Sequence, residues 1–239
     1  MVMENYYSLL QKTFQDNESR VTICNYHSTQ CMYQVSEMFQ KLPSKDQVFD
    51  ESTCSQMMRK KDLTTIQASE STSQIMLFPF YYLPDKQFVL GIVLRDIGRI
   101  YFLDTQHDDD RQQFFQNLFP IFLSTYLSDF EKVRFVYHVT SEDDMESNDS
   151  AKFVCLYMYI IMELDRQQKA FDNILQVIEK IKKSTFKKRT ILSNVALSLL
   201  KKDLSPLALS LNQYGVLYLP KSSNNRKANW CQISLLWKT

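Results

Sequence analysis

Between Ile75 and Leu103 the chain carries three apolar runs, IMLFPFYY, FVLGIVL and RIYFL, set apart by short turns, the second being Asp96-Ile97-Gly98. Runs of this length, rich in Val, Ile, Phe and Tyr, read as consecutive strands over Ile75–Tyr82, Phe88–Leu94 and Arg99–Leu103. Further on, Phe153–Leu164 is apolar almost throughout. It amounts to about three turns of helix, too short to span a bilayer, and reads as a buried core helix. Strands that adjoin in sequence, followed by a helix with hardly a polar face, restrict the chain to an α+β arrangement in which the sheet packs around that helix.

With 239 residues, 44% of them hydrophobic, the chain suits one domain with a substantial interior. The net charge of +1 gives no global attraction to nucleic acid or to acidic membranes. Only three glycines occur, so no phosphate-cradling glycine loop can form, and nucleotide-dependent chemistry is disfavoured. Five cysteines without paired spacing argue against a secreted disulfide framework. No amino-terminal basic-plus-apolar signal is evident. The expected setting is a reducing compartment, nucleus or cytoplasm, with no membrane contact.

The spacing of apolar residues predicts helices over Glu4–Phe14, Ser28–Leu42 (closed by Pro43) and Ser52–Lys61. Ser69–Ser73 is a polar link into the sheet. Asp110–Ser128 is expected to be helical with a break near Pro120, Val133–Thr140 a strand, and Ser150–Leu164 the central helix. Phe171–Lys182 and Thr190–Lys201 read as further helices. Val216–Leu219 and Cys231–Leu236 are late apolar runs. The organisation is one domain over 1–239: a helical part at 1–68, a sheet and central-helix core at 69–165, and carboxy-terminal helices and final strands at 166–239.

The order and spacing of these parts resemble the cysteine proteases that process ubiquitin-like modifiers such as SUMO, with the adenovirus protease as a distant cousin. In that family a Pro-containing strand leads to a His-Trp pair, and a strand–turn–strand ends in Tyr-x-x-Asp-Ser. A Gln-x-x-x-x-Asp-Cys-Gly then runs into a buried helix opening Val-Phe-Val-Cys. Here the matching positions read Gln87-Phe88, Tyr101-Phe102-Leu103-Asp104-Thr105 and Asp149-Ser150-Ala151-Lys152-Phe153-Val154-Cys155. The resemblance implies a papain-like or adenovirus-protease-like mixed sheet flanked by helices, with the central buried helix starting at Ser150. The family's Trp-Leu-Asn-Asp opening is missing.

Family chemistry needs a thiolate at a helix amino terminus, an imidazole base and a carboxylate that orients the imidazole. By resemblance Asp104 stands at the acid position. The base position holds Gln87, whose amide takes up no proton near neutral pH, and the nucleophile position holds Ser150, whose hydroxyl ionises far less readily than a thiol. The Gln that assists the oxyanion hole falls on Asp144, whose charge would repel a developing oxyanion. A lone Cys-to-Ser change would fit an engineered trap, whereas several coordinated losses fit a natural pseudoenzyme. Taken singly, each motif has a plainer reading: Asp149-Ser150 as a helix cap, Asp104 as a turn residue, Phe153-Val154-Cys155 as core. Their joint order over about ninety residues carries the resemblance. His27, His107 and His138 lie away from the base position, with His138 at the end of a strand in the same sheet.

The expected function is that of a catalytically inactive SUMO-protease-like interaction module or scaffold, with a protein partner such as a ubiquitin-like modifier. Two alternatives stand beside it: an active peptidase of the same class, and a nucleic-acid-associated factor. The latter would use Lys180–Lys202, where eight residues are basic and none acidic, among them Lys182, Lys183, Lys187, Lys188 and Arg189. The plain reading of that stripe is a solvated helix face. Phe88 stands where the family has the Trp that floors the modifier-tail tunnel, and Trp230 and Trp237 are candidate partner contacts. Glu142–Asp149 carries five carboxylates and no base, suited to a basic peptide. Cys24, His27, Cys31 and Cys54 resemble zinc ligands in type but not in spacing and read as free cysteines, so no metal or cofactor is expected.

Overall fold

The computed structural model describes residues 2–14, 20–24, 27–28, 74–82, 84–126, 134–139, 149–168, 176–178, 180–181 and 185–216. Helix α1 (Val2–Thr13) opens the chain, followed by the short strands β1 (Val21–Ile23) and β2 (His27–Ser28). Strands β3 (Ile75–Tyr82), β4 (Gln87–Leu94) and β5 (Arg99–Asp104) follow as the apolar runs predict. Then come α2 (Asp109–Tyr126), β6 (Arg134–Val139), α3 (Ser150–Arg166), α4 (Thr185–Lys201) and α5 (Ser205–Gln213).

Among the described residues the strands form one mixed six-stranded sheet in the order β1-β3-β4-β5-β6, with β2 also on β3. The central pairs are antiparallel, from Ile75↔Leu94 to Tyr82↔Gln87 and from Leu90↔Leu103 to Leu94↔Arg99. β1 and β2 lie parallel to β3, and β6 lies parallel to β5. A single 3-10 turn, Arg95–Ile97, joins β4 to β5. It closes on Gly98 at φ 56°, where a side chain would be strained, and the Gly98 N–H donates to the Arg95 carbonyl at 3.2 Å.

Alternation along β4 divides the core in two. Leu90, Ile92 and Leu94 pack with α3, α1 and α4 in one cluster. Helix α3 is buried at every residue from Phe153 to Asp165, as its almost wholly apolar run to Met162 requires. Met3, Tyr6 and Leu10 of α1 and Ile191, Leu192 and Val195 of α4 cover it. Gly91, of opposite parity, faces an aromatic layer beneath α2, made of Phe78, Phe80, Phe102, Phe115 and Phe119. Ring centroids there lie as close as 4.3 Å (Phe102–Phe115). Burying one such ring contributes about 1.5–3 kcal/mol.

The polar last turn of α3 is secured rather than left bare. Asp165 accepts from the backbone N–H of Arg20 at 3.1 Å and from its Nε at 2.8 Å, which anchors the entry to β1. Glu163 accepts from Arg166 at 2.5 Å and Gln167 at 2.8 Å.

Several expectations need correction. The helix through Pro120 is unbroken. A proline there removes one bond to the Gln116 carbonyl, and Gln116 lies on the exposed face, where water can take that carbonyl. Ser28, expected to begin a helix, lies in β2, and the rest of that predicted helix is outside the described residues, as is Ser52–Lys61. Helix α5, with Pro206 in its first turn, was not anticipated, nor was β1. Only residues 176–178 and 180–181 of the expected Phe171–Lys182 helix are described, and they are helical. Apart from Val216, the two late apolar runs lie outside the described residues.

Candidate functional site

Strand β4 begins at Gln87, two residues before its recorded ladder with β5 could extend to Asp104 by continued register. By strand parity Gln87 lies on the same face as Gly91, and Asp104 on the same face as Phe102, so both belong to the α2 side of the sheet. The backbone N–H of Phe88, beyond that ladder, donates instead to the Ser150 hydroxyl at 3.0 Å. The start of α3 is thereby joined to the start of β4. All three side chains are closed off from solvent: Gln87 is 7% exposed, Asp104 0% and Ser150 1%. The fold joins Ser150 to the residue that follows Gln87, while Asp104 is bound on the α2 side by a different partner.

Asp104 is held by a buried cation. Arg111, in the first turn of α2 and 2% exposed, donates from Nε to Oδ2 of Asp104 at 2.5 Å and from Nη2 to Oδ1 at 3.3 Å. The backbone N–H of Gln106 also donates to Oδ1, at 3.2 Å. The same guanidinium donates to Asp85 at 2.6 Å and to the Gln106 carbonyl at 3.0 Å, and its carbon lies 5.9 Å from the centre of the Tyr82 ring. One arginine therefore ties the β3–β4 loop, the end of β5 and the start of α2. A planar fork that stays charged at any physiological pH suits this role.

Sequence reasoning missed Arg111. Its signal was there: Arg111, Phe115 and Leu118 recur at helical spacing on one face, and an arginine on an apolar face needs a buried anion.

Cys155 lies more than a helical turn inside α3, fully buried, with its thiol 3.6 Å from the Met3 sulfur. Burial pushes that thiol well above its ordinary value, the reverse of what a reactive cysteine needs. His107 is exposed and 3.0 Å from Asp109. His138 is in register with Leu103, while Val139 is opposite Asp104.

Phe88 is half-buried and packs against Tyr81 with ring centres 4.9 Å apart. Asp149 makes no capping hydrogen bond to α3, and its carboxylate takes Lys152 Nζ at 2.6 Å instead. Lys187 and Lys188 fall within α4, and Arg189 is exposed on it. Asp144, Lys182, Lys183, Trp230, Trp237, Cys31 and Cys54 lie outside the described residues. Cys24 is buried. No group of three or more ligating side chains that could hold a metal is found among the described residues.

No family model matches the chain, and no curated protein does. Solved structures do. The chain is similar to the SUMO protease Ulp1 with its catalytic cysteine oxidised to a sulfinic acid, at 12% identity and a TM-score of 0.41, over 88% of this chain and 77% of that one. It is also similar to a de-sumoylating protease, at 10% identity and a TM-score of 0.43, over 90% of this chain and 80% of that one. Both likenesses lie in chain course rather than in sequence.

Proposed function

We propose that this chain is a catalytically inactive protein of SUMO-protease-like design that works as an interaction module in a larger nuclear or cytoplasmic complex. One observation carries the reading most directly. The residue at the base position is an amide, and the hydroxyl at the nucleophile position is buried and accepts a backbone hydrogen bond from Phe88. A serine acts as a nucleophile only with a base in reach to take its proton. Gln87 cannot do so, and the acid that would steady an imidazole is bound to Arg111.

What the chain retains is shape. The sheet, the buried helix and the junction between them are kept by side chains that favour packing over proton transfer. A partner protein is the natural use for such a scaffold, and a ubiquitin-like modifier is the first to test. Titration of SUMO and of ubiquitin against the full chain, followed by heteronuclear NMR, reads this directly. Saturable shifts around Phe88 support modifier binding. Absence of shifts at high micromolar concentration assigns the scaffold to a different protein partner. Turnover of a modifier fusion by the natural chain would overturn the proposal.

A further inference from the structure

We infer that Arg111 is a positioning residue that has converted Asp104 from an orienting acid into a structural anion, a barrier to catalysis separate from Gln87 and Ser150. The inference rests on the reading that these three positions descend from a triad. An orienting carboxylate in such a triad does two things: it fixes one imidazole tautomer, and it stabilises the imidazolium that forms when the base takes a proton.

At Asp104 the guanidinium competes with both functions. The Nε and Nη2 groups of Arg111 approach its two oxygens side by side, and the Gln106 N–H takes a further position on Oδ1. The guanidinium also answers the charge of Asp104 with a permanent positive charge. An imidazolium arriving at position 87 would meet a carboxylate already neutralised, with a fixed cation beside it. The remaining negative charge of the cluster sits on Asp85, in the loop before β4 and 39% exposed, where solvent screens it.

Both partners of the buried pair are almost fully enclosed, at 2% and 0% exposure. The clamp cannot open without leaving a bare charge in the interior, so it is not an exposed ion pair that a substrate could displace. Restoring the histidine and the cysteine alone therefore leaves the centre unassembled.

The test uses the full chain carrying Gln87→His and Ser150→Cys, with and without Arg111→Gln. The readout is the rate at which iodoacetamide captures the introduced thiol at position 150, followed by peptide mass mapping from mildly acidic to mildly alkaline pH. In the double variant, capture should rise with pH as for an ordinary thiol. In the triple variant it should reach a plateau at neutral pH about tenfold faster or more, because an oriented imidazole now stabilises the thiolate. A purely structural role for Arg111 would move the melting temperature and leave this profile alone. Should Arg111→Gln prevent folding, Arg111→Lys takes its place, keeping a charge but losing the two-pronged grip, and an intermediate plateau is expected. A plateau already present in the double variant, or none in a folded Arg111 variant, overturns the inference. Turnover by the natural chain would sink the proposed function through a different measurement.

Discussion

The backbone N–H of Phe88 donates to the hydroxyl of Ser150 at 3.0 Å, so the first residue of α3 is bonded to the second residue of β4. Ser150 is thus a side chain that serves as an acceptor for the sheet. The bond spans 62 residues of sequence and fixes where the central helix starts.

Replacing Ser150 by alanine should therefore cost stability. Loss of one enclosed hydrogen bond to a backbone donor is expected to lower the unfolding free energy by about 1 kcal/mol. Urea denaturation of the two proteins measures this, and an unchanged midpoint would mean that the bond contributes nothing.

Arg111→Met should be far more damaging than its conservative volume suggests, because it strands the Asp104 carboxylate in the interior. The expected loss is about 3–5 kcal/mol. Adding Asp104→Asn should recover part of it, since the stranded charge is then gone. A double-mutant cycle in urea reads the coupling, and simple additivity of the two losses would refute the clamp.

Much of this architecture was legible because its strongest signals are local. The apolar runs at Ile75–Tyr82 and Phe88–Leu94 are long, bounded by turns and paired with near neighbours, so their extents agree with the strands to within a residue. Helix α3 announced itself by having no polar face. Strand β1 did not, because three residues form a strand only through their pairing with Ile75–Leu77, some fifty positions away. Pro120 misled because local propensity disfavours an interior proline, while Phe115, Phe119 and Leu123 hold that helix on the sheet through packing. At the site, the family resemblance singled out Gln87, Asp104 and Ser150 as positions to inspect. It did not show what Asp104 does, since a charge's partner is set by tertiary contact. Arg111 lies only seven positions on, and its place on the apolar face of α2 marks it as buried without naming the anion it meets.

Gly91 should not tolerate alanine. A methyl group there would lie 3.2 Å from the Phe80 ring, 3.3 Å from Phe102 and 3.4 Å from Phe119, and close-packed aromatic side chains have little room to give way. Overpacking of this kind costs about 1–3 kcal/mol. Thermal unfolding should show the loss, and Phe119→Leu should relieve part of it. A fully stable Gly91→Ala protein would contradict the packing described for this face.

Stability should also fall at alkaline pH. Burial first, then the nearby Cys155 and Tyr159, hold the Tyr6 phenol well above its ordinary 10.0. Burial alone raises the Cys155 thiol from 9.0, and burial with Glu163 raises Tyr159 from 10.0 against a smaller lowering by Arg166. The unfolded chain releases these protons at the ordinary values, while the folded chain keeps them. The contribution of these groups is therefore intact at neutral pH and declines above about pH 9, as proton linkage requires. Urea midpoints at neutral pH and at alkaline pH test the sign, and Tyr6→Phe should flatten the decline. A rise in stability with pH in that range would contradict it.

The most direct measurement is cleavage of a carboxy-terminal SUMO or ubiquitin fusion, with the natural chain and its Ser150→Cys variant run side by side. On the proposed reading, in which Gln87 stands for the base and Asp104 is bound to Arg111, neither protein should release product under conditions in which an intact SUMO protease completes the reaction. Release by the natural chain, or by the Ser150→Cys variant alone, would show that a competent base reaches the start of α3 and would contradict the account.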